Sequence, residues 1–234
     1  MIGWDGDHLT GRLGDARVLF TTRSGGVSEG PYASLNLGEG TEDDPRAVAE
    51  NRERLRALAG GARLARCYQV HGRDVACEPA PGDRPRADGV ATAVPGVAAV
   101  VLTADCLPVA LVAEGAVAMV HAGWRGLAAG VVDRGVSALR RLGAAGPVRA
   151  AIGPGAGGCC YEVGDEVRAA FADVPEARLG RNIDLKVVAA ARLRAAGVED
   201  IHDTGLCTMC DRRFFSHRRE EGTTGRQGGV AWLT

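Results

Sequence analysis

A single mixed α/β (or α+β) domain is the fold class this sequence predicts, and three observations predict it. The chain has 234 residues, enough to bury a full hydrophobic core without being forced to divide. Apolar runs of strand length alternate with longer segments whose apolar residues recur at helical spacing and stop at glycine. No internal repeat, low-complexity stretch or domain break interrupts them. The formal net charge of -1 gives no broad attraction to nucleic acid or to an anionic membrane, so the partners expected are small molecules held by individual side chains.

The opening MIGWDGDHLTGRLGD carries acids and glycines where a secretory leader needs a basic head and an apolar segment. No apolar run reaches the roughly 20 residues of a membrane span. A cytoplasmic protein is expected. Seven cysteines are an odd number in a chain large enough to stand without disulfides, which favours reduced thiols. Nothing in the pattern sets an oligomeric state.

In chain order, an undistinguished opening leads to a short strand at Val18–Thr22 and then a long Gly/Ser-rich loop, of the length that usually carries function. Arg23 leaves the strand where a pocket rim would begin, and Asn36 lies farther along the loop. Asp43 or Asp44 before Pro45 starts a helix over Ala47–Ala59, which includes Arg52 and ends at Gly60-Gly61. LARCYQV, residues 64–70, reads as a strand that delivers His71 at its end, and Asp88-Gly89 as a turn. Val97–Leu102 and Pro108–Ala113 form a central apolar pair, with a tight turn at Glu114-Gly115 into Val117–Val120. A helix over Leu127–Leu142, a buried strand at Val148–Ile152, a helix near Asp165–Phe171 and another over Leu185–Ala196 follow, the last opened by Asp184. Val198–Gly205, Phe214-Phe215 and Val230–Leu233 read as closing strands.

Candidate chemistry concentrates in the central stretch. Cys106 and His121 stand at the polar ends of apolar runs and His71 at another strand end, in segments otherwise too apolar to carry polar side chains without a purpose. One thiolate and two neutral imidazoles suit zinc in a catalytic site, where three protein ligands leave a fourth position open. Asp105 adjoins the thiol and could move a proton if the chain bends there, since strand neighbours point to opposite faces. The same residues admit a metal-free reading, with Cys106 as nucleophile and His121 as base. His71 discriminates, being required for three-point metal binding and superfluous to a dyad. Cys207-x-x-Cys210 is half a zinc ribbon, no second CxxC exists, and Cys159-Cys160 is weaker still. RRFFSHRR alternates arginine with aromatics, but one such cluster reads as a charged strand edge, whose arginines could instead hold a phosphate or carboxylate entering the central pocket.

FTTRSGGVSEGPYASLNLG, QVHG, ADGVAT, LTADCLPV, VHAGWRGLAAG, IGPGAGGCCYEVG and DTGLCTMCDRRFFSHRREEGTTGRQGGVAWL together resemble the YfiH-like laccase-domain family, also labelled polyphenol oxidase or purine nucleoside phosphorylase. The resemblance covers nearly the whole chain. It implies one domain of packed mixed sheets flanked by helices, related in fold to bacterial toxin deamidases, and a zinc site whose ligands match His71, Cys106 and His121. It further implies phosphorolysis of purine nucleosides and deamination of adenosine, for which Arg23, Asn36 and Arg52 would hold phosphate or substrate. Some relatives are linked to editing of peptidoglycan precursors, which keeps an amidase-like alternative open, and a non-enzymatic partner-binding module is a further one. A multicopper centre needs many imidazoles, and five histidines in all do not supply them, so zinc is favoured over copper.

Overall fold

Strands buried on both faces dominate the structure, a computed structural model that describes residues 2–234. The opening holds an antiparallel hairpin of β1 (Ile2–Asp5) and β2 (His8–Leu13), which the sequence reading passed over because most of its side chains face solvent. β3 (Ala16–Phe20) begins two residues earlier than expected and stops before Thr21. The loop from 21 to 44 then leads to α1 (Pro45–Leu58), where the Asp44 side chain accepts the Arg46 N–H as an N-cap. β4 (Arg63–Ala65) and β5 (Ala76–Cys77) are short, and β6 (Gly89–Thr92), β7 (Val97–Thr103), β8 (Leu107–Glu114) and β9 (Ala116–Ala122) build the centre.

Beyond the centre, the single helix expected over 127–142 is two, α2 (Trp124–Ala129) and α3 (Val131–Arg141), because Gly130 takes a left-handed φ of 88° between them. β10 (Ala145–Ile152), α4 (Asp165–Ala170), the small hairpin of β11 (Arg178–Leu179) and β12 (Asn182–Ile183), α5 (Leu185–Ala195), β13 (Asp200–Asp203) and β14 (Gln227–Leu233) complete the chain.

Six strands form a first sheet in the order β1-β2-β3-β14-β7-β4, and six a second in the order β13-β10-β8-β9-β6-β5. Along β7, Val97, Ala99 and Val101 face the cluster between the sheets while Ala98 and Val100 face the cluster under α1. Along β8, Ala110 and Val112 face the inter-sheet cluster while Leu107, Val109 and Leu111 meet α2, α3 and α5 on the far side. Side chains alternate across a strand, so a strand covered on both faces must be apolar throughout. The two strands of the central apolar pair, β7 and β8, belong to different sheets, and residues 104–106 carry the chain from one to the other.

Three local expectations are corrected. Only Leu64 and Ala65 of LARCYQV lie in a strand, β4, because the N–H groups of Val70 and His71 go to the Asp88 carboxylate instead of a ladder. Asp88 is not in a turn but immediately precedes β6, fully buried. Phe214 and Phe215 lie outside any strand, where the Gln227 side-chain amide accepts the Phe215 N–H and donates to its carbonyl, replacing a strand partner.

Candidate metal centre and its cleft

Antiparallel pairing of β8 and β9 places Pro108 opposite His121 and Leu107 opposite Ala122, so the residue just before β8, Cys106, lies beside the end of β9. His71 comes from the irregular connection between β4 and β5. The potential ligand atoms of His71, Cys106 and His121 all lie within 4.8 Å of one another. The two imidazole rings meet edge to face, 4.8 Å between centroids at 75°. His121 is buried, Cys106 half-buried and His71 exposed, so the group opens to solvent on one side. Gly123 makes the room, because a Cβ there would stand 2.9 Å from the Cys106 Sγ and 3.3 Å from the His71 ring.

One buried carboxylate orients both histidines. Asp88 accepts N–H groups from Val70 at 3.1 Å, His71 at 2.9 Å and Gly72 at 2.6 Å, which holds His71 at a left-handed φ of 58°. Its Oδ1 also lies 2.8 Å from the His121 Nδ1, leaving the other ring nitrogen of His121 for the centre. Such carboxylate–histidine contacts fix tautomer and ring direction at metal sites. Burial alone would raise the Asp88 pKa, yet the bonds from His121 and the Gly72 and Val70 N–H groups outweigh it and hold the carboxyl below its ordinary value.

The thiol is poised in the same way. Burial pushes the Cys106 thiol up, but the charge of His121 and hydrogen bonds from both histidines bring it down to about 6. Burial would lower His121, whereas the Cys106 thiolate and Asp88 raise it to about 9. Each charge therefore supports the other. The residues fit a borderline-soft ion on three counts: a thiol readily ionised, an imidazole oriented from behind by a carboxylate, and a glycine leaving space between the donors.

Asp105 has a φ of 92°, a strained setting for a residue with a side chain, and this is the bend that turns Cys106 toward the histidines. Its Oδ1 accepts the Thr208 hydroxyl at 2.6 Å, its Oδ2 the Arg218 N–H at 2.8 Å and its carbonyl the Ala156 N–H at 2.8 Å. Both carboxylate oxygens are thus engaged in holding the bend. The three donors sit in a cleft of about 490 Å³ walled also by Gln69, Tyr161, His217 and several arginines.

Of the other site residues expected from sequence, only Arg52 lines this cleft. Its guanidinium donates to the Leu37 carbonyl and pairs with Glu39. Arg23 is placed elsewhere, donating to the Ala33 carbonyl, paired with Glu220 at 2.9 Å and stacked over Phe215. Asn36 is fully buried, and its side chain bonds Thr41, Asp43, Gly38 and Arg226 to brace the cleft-wall loop. Sequence reasoning missed Asp88, Arg125 and Arg226, while Arg218, also in the cleft, is one of the RRFFSHRR arginines expected to meet an anion there. Among the described residues Arg125, Arg218 and Arg226 have no carboxylate partner within 4.0 Å.

Fold and site together define a class: paired mixed sheets flanked by helices, with a thiol/imidazole centre where the middle strands of the second sheet end. The model of the family described as "Multi-copper polyphenol oxidoreductase laccase" matches residues 17–234, and the chain belongs to that family. A relative in Pseudomonas aeruginosa, named purine nucleoside phosphorylase PA4543, is 45% identical over 230 residues, covering 93% of each chain. Another in Streptomyces coelicolor, named purine nucleoside phosphorylase SCO2081, is 46% identical over 234 residues, covering 93% of this chain and 96% of its own. The crystal structure of YfiH from Bacillus licheniformis superposes with a TM-score of 0.91 at 30% identity, covering 100% of this chain and 99% of its own. The multicopper description does not match the donor set. His8 accepts the Thr22 N–H, His202 lies on β13 and His217 lines the cleft wall outside the group, which leaves His71 and His121 as the imidazoles grouped with a thiol among the described residues.

Proposed function

We propose that this chain is a zinc-dependent enzyme acting on purine nucleosides. It would cleave adenosine, inosine, guanosine and methylthioadenosine with phosphate to base and sugar 1-phosphate, and would also deaminate adenosine. The carrying observation is the convergence of His71, Cys106 and His121 on the floor of a cleft whose walls hold cationic groups free to meet an anion. The names of the relatives at 45% and 46% identity support the same substrate class.

His71, Cys106 and the ring nitrogen of His121 turned away from Asp88 would hold the ion. Zinc in such a site supplies Lewis acidity at its open position. Arg218 and Arg226 clamp the phosphate. Arg226 is oriented by donating to the Thr224 and Gly225 carbonyls, and Arg218 lies over the Tyr161 ring. Burial lowers the Arg226 pKa, and the charges of Asp105 and Cys106 counter that, which places its cation in the field of the centre. Arg52 and Asn36 hold the cleft-wall loop, and Asp105 holds Cys106 in place rather than carrying the proton. The seven free thiols suit a reducing, cytoplasmic setting, and no helix among the described residues is long and apolar enough to cross a membrane.

Purified protein given adenosine and phosphate should form adenine with ribose 1-phosphate, and inosine, while Cys106→Ala and His71→Ala variants should form neither. No product above the Cys106→Ala control overturns the proposal. The lowered Cys106 thiol favours one second reading, a metal-free Cys106–His121 hydrolase acting on amides. Amide hydrolysis that survives both chelation and His71→Ala would establish it.

A further inference from the structure

Four cysteines that the reaction does not use converge at the far ends of two neighbouring strands. β10 and β13 run parallel, with Ala151 opposite His202 and Ile152 opposite Asp203, so the loops leaving their ends start side by side. Gly155 and Leu206–Thr208 continue the pairing, the Gly155 N–H reaching the Leu206 carbonyl and the Thr208 N–H the Gly155 carbonyl. That pairing sets Cys159-Cys160 against Cys207 and Cys210. Half a zinc ribbon thus finds its second half in a vicinal pair about fifty residues away, which no local spacing announces.

The four sulfurs lie within 4.8 Å of one another. Cys159 to Cys210 is 3.5 Å, Cys159 to Cys160 is 3.6 Å and Cys160 to Cys210 is 3.0 Å. A tetrahedral ion with zinc–sulfur bonds of about 2.3 Å sets its sulfurs roughly 3.8 Å apart, close to this spacing. The Cys207 Sγ also accepts the Gly157 N–H at 3.2 Å, the kind of outer contact that supports a thiolate ligand. Gly157 leaves the space, since a Cβ there would come within 3.3 Å of the Cys207 and Cys159 sulfurs. Two separate disulfides would not require all four sulfurs to gather around one point.

We propose that Cys159, Cys160, Cys207 and Cys210 form a second, structural zinc site with four thiolate ligands. The ion displaces the thiol protons to solvent as it binds, and no electron is transferred. Hard cations are excluded by the all-sulfur set, and four protein ligands leave no open position for catalysis. Its role is to staple the loop after β10 to the loop after β13. Both loops grip the bend that presents Cys106: the Ala156 N–H bonds the Asp105 carbonyl and the Thr208 hydroxyl bonds its carboxylate.

Metal content by plasma mass spectrometry, on protein purified without chelator from zinc-supplemented cells, tests the proposal. Wild type should carry two zinc ions per chain, the double variant Cys159→Ser/Cys210→Ser one, and His71→Ala/His121→Ala one. X-ray absorption at the zinc edge of the histidine variant should show a sulfur-only shell at about 2.3 Å. A histidine variant without zinc, a shell containing nitrogen, or a denatured, metal-free chain whose mass is short of the hydrogens of two or four thiols, the mark of disulfides, overturns it. Because that variant leaves all four cysteines intact, it decides the matter even if the serine variant does not fold, and independently of the reaction at the other centre.

Discussion

The floor of the cleft and its walls are built by different means. Cys106 and His121 are fixed by β8 and β9, whose register is pinned because both faces of the pair are buried. Arg218 and Arg226 lie instead on the connection between β13 and β14, where arginines, carbonyls and turns hold one another. The floor gains its geometry from burial and the walls from polar contacts spread along the chain. Substitutions in the floor should therefore damage the centre itself, and those in the walls should change what it binds or how firmly the loops are held.

The largest effect expected after loss of a ligand is at Asp88, which joins His71 and His121 to one buried carboxylate. Asp88→Asn keeps the shape but exchanges an acceptor for a donor where the His121 Nδ1 and three backbone N–H groups converge. Metal affinity should fall about 10–100-fold, the usual cost of losing a carboxylate behind a ligating histidine. Competition with a chelator of known affinity measures it. An affinity unchanged within twofold would show that strand ends alone fix the floor.

The same contrast explains what could be read in advance. A polar residue ending a run that must be apolar on both faces is conspicuous, and that signal led to His71, Cys106 and His121. Asp88 carries it too, directly before the fully buried Gly-Val-Ala-Thr strand, but Asp-Gly also spells a turn, and the turn signal masks it. Nothing local marks Arg226 as a cleft residue, because what turns it there is Asn36, 190 positions earlier, accepting its N–H. Arg23 and Arg52 show the complementary case. A lone arginine after a strand or in a helix looks available until Glu220 and Glu39, distant in sequence, turn out to hold it.

A smaller effect is expected on the walls. Arg226→Gln removes a cation with no carboxylate partner, so the KM for phosphate should rise about 10–100-fold, the equivalent of roughly 1.5–3 kcal/mol for hydrogen bonds to a charged group. Metal content should not change. Arg52→Gln should raise that KM less, since its guanidinium is already committed to Leu37 and Glu39. Initial rates against phosphate concentration decide the order, and a larger rise in Arg52→Gln would return the clamp to the helix.

The smallest effect concerns Arg23 and Glu220, which brace the wall without touching the cleft. Burial would raise the Glu220 pKa, but hydrogen bonds from Thr224, Arg219 and the Ser216 N–H, with the Arg23 charge, hold it below its ordinary value. A carboxyl whose folded pKa lies below its unfolded value, about 4.3, stabilises the fold fully above that pH and loses the contribution as pH falls through the folded value. Partial exposure of both side chains limits the worth of the pair, so Arg23→Gln and Glu220→Gln should each cost about 1–2 kcal/mol at neutral pH. The difference between wild type and Glu220→Gln in denaturant melts should narrow on acidification below about pH 4.3. Because neither group reaches the phosphate, the KM of both variants should stay within twofold of wild type. An Arg23→Gln protein that melts normally but binds phosphate poorly would place Arg23 in the cleft and reverse its assignment as a brace.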